Sequence, residues 1–385
     1  MTQLLDTILQ HYTWQGIALL AVLFVLFIVQ LYYYLGPYNR IYKFRLMRRK
    51  KRSAENPPIS VIVVVRGENE HFLYEELPQL LHQQYDSYEV VVVYVGGDTD
   101  YHEQLQAYRN TYFNLRITKI GGNERIYIST KQALNIGIKS AQYDNLLFTV
   151  TGATPRTDMW VATMAKGFER GSVVVASSVP RFEKGTKHSS MMRLVELHHL
   201  RNAMARAIMG DLYYAPRSNY GFTRQLYDET RGYNHLAMDI GENDLYLQEI
   251  TSAQRVAVVL TRNAVTIEER PERWSEWIEL MRYYATAEHH YPTRIKSFTT
   301  REIGSRVLFF MVVITAIAVL PMELKIAAAI LAFMRYIFVV WSSNRTAKRL
   351  GERGIIMGYW RYDLFGPIVE FMVSRPSHNT PSIWR

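Results

Sequence analysis

No cysteine occurs among the 385 residues, so neither a disulfide nor a thiolate metal site is available to the chain. Internal repeats and low-complexity tracts are missing too, and Arg52 to Pro58 is the only clear linker. A third absence is local. Residues 146–155, Leu-Leu-Phe-Thr-Val-Thr-Gly-Ala-Thr-Pro, form an apolar run, a turn and a proline without a single carboxylate. What is present is length and apolar content, 48% of residues, enough for one large domain with attachments. The formal charge of +10 matters less than its distribution. Arg40, Lys43, Arg45, Arg48, Arg49, Lys50, Lys51 and Arg52 follow directly on an apolar segment, a membrane-topology signal before a nucleic-acid one.

That apolar segment, Gly16 to Leu35, is interrupted only by Gln30 and ends in Tyr32, Tyr33 and Tyr34. It supplies about the 20 residues that cross roughly 30 Å of hydrocarbon, with tyrosines at interface depth. A cleaved signal peptide carries its charges before the apolar run, whereas here they follow it, so a retained helix is expected with its basic end in the cytoplasm. Val307 to Leu320 and Leu324 to Trp341 read as a hairpin of two further spans around Pro321, followed by Arg345, Lys348, Arg349 and Arg353. Arg335 inside the last span suits a lipid phosphate, another helix, snorkelling to the interface, or shielding by a neighbour. Tyr359 to Val373 mixes aromatic, aliphatic and charged residues in the manner of an interfacial helix. The expected organisation is a membrane helix at 1–38, a basic linker at 39–57, a soluble domain at 58–292, a linker at 293–303, a membrane hairpin at 304–342, and a basic loop with an interfacial helix at 343–385.

The soluble part alternates strands with helices. Ile59 to Val65 and Glu89 to Val95 are nearly unbroken β-branched runs, as in strands covered on both faces, and His71 to Gln84 between them has helical spacing. Leu115 to Ile120, Leu146 to Val150, Val173 to Ser178 and Val256 to Leu260 read as further strands. Helical patterns occupy Tyr101 to Tyr112, Ser129 to Ala141, Asp158 to Glu169 and Ser189 to Met209. A doubly wound α/β sheet follows, with a ligand site beyond the carboxyl ends of its strands.

Several strings in this order carry a family resemblance: Ser60-Val-Ile-Val-Val-Val-Arg66-Gly-Glu68, Leu80-Leu-His-Gln83-Gln-Tyr85, Glu89-Val-Val-Val-Val93, Lys131-Gln-Ala133-Leu134-Asn-Ile-Gly137, Leu146-Leu-Phe148-Thr149 with Pro155, and Gly241-Glu242-Asn243-Asp244-Leu245. Together they resemble membrane-anchored bacterial family-2 glycosyltransferases, which implies a GT-A fold, a mixed doubly wound sheet of the nucleotide-diphospho-sugar transferase kind.

The resemblance also implies where chemistry belongs. In that family acids after the second strand bind the uridine and ribose; here Tyr94, Val95, Gly96 and Gly97 stand there, while Asp98 and Asp100 just beyond either substitute or cap the next helix. Its Asp-x-Asp metal motif falls on Val150 and Gly152, which offer a divalent ion no side-chain ligand. Arg66, Glu68, Lys131 and Arg282 are the candidate donor-cleft residues, with Arg125 and Arg156 on other plausible loops. Glu242 occupies the general-base position, with Asp244 its neighbour; a capping and packing role is the alternative for the pair. Tyr283 and Tyr284 replace a terminal basic character expected near Arg282. His289 with His290, and His198 with His199 on an amphipathic helix expected along the membrane surface, have no partners at metal-ligand spacing.

These losses point to an inactive homologue serving as partner or scaffold beside another membrane protein, such as an active glycosyltransferase or an envelope assembly subunit. The location expected is the bacterial inner membrane, with the main domain cytoplasmic. No cofactor is expected, with Mg or Mn entering only if the donor site functions, and no nucleic acid. The alternative is an active inverting transferase, metal-independent or using a lipid-linked donor, with Glu242 as base and Arg66, Lys131 or Arg282 on the phosphate.

Overall fold

A computed structural model of the protein describes residues 14–46, 56–121, 127–233, 240–251 and 256–375; residues 48–52 of the basic run and Arg125 lie outside them. The described chain opens with an apolar helix, α1 (Trp14–Leu35), and a short α2 (Pro37–Lys43). Then come β1 (Ile59–Arg66), a π-helical turn at Phe72–Glu76 that leads into α3 (Leu77–Leu81), and β2 (Tyr88–Gly96). Pro78 has no N–H to give to the preceding turn, which winds more widely than an α-helix there. α4 (Thr99–Thr111) begins on Asp98, whose carboxylate accepts from the Tyr101 amide at 2.5 Å, and leads to β3 (Leu115–Gly121). A capping box between Ser129 and Gln132 starts α5 (Thr130–Ser140).

β4 (Asn145–Val150) lies parallel to β1, with Val61 opposite both Leu147 and, on the other side, Val90 of β2. This register brings the carboxyl ends of β1 and β4 together. After β5 (Ala153–Pro155) and α6 (Trp160–Phe168), the strand expected over 173–178 divides into β6 (Val173–Ala176) and β7 (Ser178–Arg181). The cause lies at Ser177: its carbonyl accepts from Thr266 and Asn219, turning the chain out of one sheet into another. α7 (Ser189–Ile208), β8 (Tyr220–Thr223), α8 (Arg224–Glu229), α9 (Leu245–Ile250), β9 (Val256–Val259), β10 (Thr266–Glu269) and α10 (Trp274–Ala285) complete the domain.

The main sheet has seven strands in the order β3-β2-β1-β4-β8-β6-β9, with β8 antiparallel to both neighbours, and a small sheet β5-β10-β7 stands beside it. Helices cover both faces: Val61 and Val63 pack with Phe72, Leu77 and Trp160, while Ile62 and Val93 pack with Leu134 and Ile138. β8 escapes a sequence reading because it is four residues long. Its Gly221 is required by the close approach of β4, since a Cβ would stand 2.5 Å from the Leu146 carbonyl oxygen.

Among the described residues three helices are long and apolar enough to cross a membrane: Trp14–Lys43, and then α11 (Thr293–Val319) and α12 (Met322–Leu350). Residues 293–303, expected as a linker, are the first turns of α11, anchored by buried Ile295 and Glu302. α13 (Ile356–Val373) exposes Met357, Trp360 and Phe371, the apolar face expected of an interfacial helix. Arg335 neither snorkels nor faces lipid. It is buried and donates to Asp363 of α13 at 2.5 and 3.0 Å and to Gln30 of α1 at 2.8 Å.

α7 departs from expectation. It does not present one polar face; most of its circumference is buried, with α2 and α13 packed against it. The residues that gave it an amphipathic look have internal partners: Arg201 donates to Ser343 at 2.9 Å and Asn202 accepts from Tyr38 at 2.5 Å.

Candidate functional site

Where β1 and β4 end, a cleft of about 510 Å³ opens, bounded on its other side by the turns before β8 and α9 and by the end of α10. Arg66 closes β1 at its edge, with the Tyr127 ring 5.5 Å from its guanidinium and Thr130 within 3.4 Å. Val150 and Gly152 line the floor, and Gly152 takes a φ of +78° that a glycine adopts at little cost.

Its amide explains the local geometry. Both carboxylate oxygens of Glu76 accept from the Gly152 N–H, at 2.9 and 3.0 Å. Glu76 is 1% exposed, and burial pushes its carboxyl up to about 7 against the counteracting bond from Gly152. This residue is absent from the sequence-derived set. The available signal was a carboxylate on the apolar stripe of the first helix, four residues after Phe72 and three after Leu73.

A raised carboxyl favours the protonated fold, so its stabilising contribution is complete below the unfolded value near 4.5 and is lost as pH rises through about 7. Between pH 5.5 and 8 the wild-type protein is expected to lose about 2 kcal/mol more stability than Glu76→Gln, which mimics the protonated acid. Unfolding in detergent at both pH values checks this. Equal pH dependence in the two proteins would remove Glu76 from the account.

Glu242 lines the cleft, 2% exposed, with Oε1 accepting from Arg217 Nε at 2.6 Å. Its Oε2 has no partner among the described residues. Asp244 turns away from the cleft. It caps α9 by accepting from the Leu245 amide at 2.5 Å and takes a second bond from the Tyr291 hydroxyl at 2.7 Å. Burial lifts its carboxyl to about 6.

Other sequence-derived residues stand elsewhere. Glu68 is exposed beside Asp98, whose charge raises its carboxyl, and does not line the cleft. Lys131 is buried with its amine beside the Gly241 backbone. Arg282 reaches in the opposite direction, donating to the Met372 carbonyl of α13 at 2.9 Å, while Tyr283 and Tyr284 face the cleft in its place. Tyr94 is wholly buried at the end of β2, packed on Tyr101 and His102, and its hydroxyl crowds Gly96; Val95 beside it is half-buried.

A divalent ion on the phosphate side of such a cleft needs oxygen ligands. Val150 and Gly152 supply none, and both oxygens of Glu76 are directed at one amide. Among the described residues no group of three or more His, Cys, Asp or Glu side chains is placed to hold a metal ion. Neither motif position therefore offers the ion a side-chain ligand.

The mixed sheet, its helical layers and the cleft at the strand ends define a GT-A glycosyltransferase fold. Residues 60–231 match the family model described as glycosyl transferase family 2, and that segment is homologous to those transferases. Among solved structures, the mannosyltransferase PcManGT from Pyrobaculum calidifontis in complex with GDP-Man and Mn2+ aligns at 16% identity and TM-score 0.54, covering 90% of this chain and 98% of that one. That likeness is one of fold. Residues 1–349 of S. aureus TarS align at 16% identity over 83% of this chain and 89% of that one, and at TM-score 0.41 they carry no argument. No curated protein sequence matches the chain.

Proposed function

We propose that this membrane-associated glycosyltransferase homologue is catalytically inactive and acts as a partner or scaffold in envelope polysaccharide or glycolipid assembly. The observation that carries the reading is the floor of the cleft: the two positions that the resemblance assigns to metal ligands are Val150 and Gly152, and the Gly152 amide is engaged by buried Glu76. A departing nucleotide diphosphate carries two or three negative charges, and the neighbouring carboxylate of Glu76 opposes rather than offsets them once ionised. The residue at the base position, Glu242, is held by Arg217. The basic residues that follow the first and third apolar segments support an orientation with the domain on the cytoplasmic face of a bacterial inner membrane. Its partner is another membrane protein, such as an active glycosyltransferase.

Calorimetry of the detergent-purified protein with UDP, GDP and several nucleotide sugars, with and without Mg2+ or Mn2+, is expected to show no binding. Metal-independent binding would overturn the inactive reading and restore the transferase alternative.

A further inference from the structure

A second cavity lies apart from the cleft. It is an open basin of about 540 Å³ bounded by β7, the loop after it, the start of α7, Arg262, and the turn at 351–353 between α12 and α13. Six cationic side chains line it, Arg156, Arg181, Lys184, Arg193, Arg262 and Arg353, against two carboxylates, Glu183 and Glu352. Glu352 is taken by Arg193, which also donates to the Arg353 carbonyl at 2.7 Å. Arg156 donates to the Gly351 carbonyl at 3.0 Å. Among the described residues no carboxylate pairs with Arg181, Lys184, Arg262 or Arg353, all of them exposed. Burial first of all pushes the Arg156 guanidinium below its ordinary value; the Glu352 carboxylate acts against that shift, and the charges of Arg262, Arg353 and Arg181 add to it.

Two further features bear on what would relieve that crowding. α7 is 20 residues long, begins at this basin with Ser189, and has no side-chain cap, so the positive end of its dipole adds to the arginines. The turn at 351–353 also joins a helix apolar enough to cross a membrane to a helix with an exposed apolar face. The apolar helix α12 ends at Leu350 immediately before it, and α13, with Met357 87% exposed, begins immediately after. Guanidinium groups bind phosphate oxygens in bidentate fashion, and a basin of several arginines suits that chemistry.

We infer that this basin binds a phosphate-bearing anion, supplied either by the headgroup of an anionic membrane lipid or by a soluble phosphate compound. The site is independent of whether the cleft is catalytically active, and its failure leaves that reading untouched.

The test uses the full-length protein in detergent and two probes by calorimetry: pyrophosphate, and short-chain phosphatidylglycerol set against phosphatidylcholine. Wild type is expected to bind at least one anionic probe, and Arg181→Ala/Arg262→Ala to bind it at least tenfold more weakly. The control pair Arg109→Ala/Lys139→Ala, which removes two exposed charges elsewhere, should leave affinity within about twofold. Arg181→Lys/Arg262→Lys keeps the charge without the planar fork and is expected to recover part of the loss. Binding of phosphatidylglycerol alone identifies a lipid headgroup, binding of pyrophosphate alone a soluble ligand, and binding of both the shared phosphate. No binding of either probe, or equal loss in the control pair, would overturn the site.

Discussion

Replacing Arg335 with leucine is expected to destabilise the protein by about 3–5 kcal/mol, the cost typical of removing one partner from a buried ion pair. Arg335 is 1% exposed and Asp363 2% exposed, so no water is at hand to solvate the carboxylate left behind. The guanidinium does three things at once. It neutralises Asp363 through two bonds, donates to the Gln30 oxygen, and lies over the rings of Phe309 and Phe310 at 4.9 and 5.0 Å. It therefore joins α1, α11, α12 and α13, and its loss should loosen the interfacial helix from the membrane bundle. Arg335→Leu/Asp363→Leu removes both charges and is expected to regain part of the lost stability, because no buried charge is left unpaired and only the Gln30 oxygen loses its donor. Unfolding of the three proteins in the same detergent decides the matter. Equal stability of the single variant and wild type, or no recovery in the double variant, would show that the pair does not hold these helices together.

The strands of this fold are legible where one local pattern determines them. The valine runs of β1 and β2 admit little else, and the capping residues Asp98 and Ser129 mark where α4 and α5 begin. Legibility fails where structure depends on a distant partner. β8 exists because β4 and β6 flank it, and β7 leaves β6 because Asn219 and Thr266 take the Ser177 carbonyl. The polar residues of α7 read as a wetted face because nothing local reveals Tyr38 or Ser343 as their partners. The cleft divides in the same way. Val150 and Gly152 are legible as cleft residues from their place at the end of a strand, but Glu76 reaches Gly152 from a helix 76 residues earlier, beyond any spacing argument. Arg282 has the right composition and the wrong direction, which only the docking of α13 on α10 determines.

The same reasoning bears on Glu242, whose place in the cleft invites a catalytic interpretation. Arg217→Leu is expected to cost about 3–5 kcal/mol, since it strands a carboxylate that is 2% exposed and has no second partner on Oε2 among the described residues. Burial opposes the charge on Arg217, yet Glu242 and the nearby Tyr284 and Tyr283 more than offset it and raise its guanidinium well above the ordinary value. Glu242→Gln should be far milder, about 1 kcal/mol, because the amide oxygen can still accept from Arg217 Nε and Arg217 itself is 16% exposed to solvent. This ordering separates two explanations for an acid at residue 242. A carboxylate kept for proton transfer need not hold the fold, and Arg217→Leu would then cost little while freeing the base. A carboxylate that is half of a structural pair makes Arg217→Leu the damaging change. Unfolding of both variants, measured beside the nucleotide-binding assay, distinguishes them: a small cost for Arg217→Leu accompanied by any gain of nucleotide-sugar turnover would return Glu242 to catalysis, whereas a large cost with no turnover makes the pair part of the scaffold.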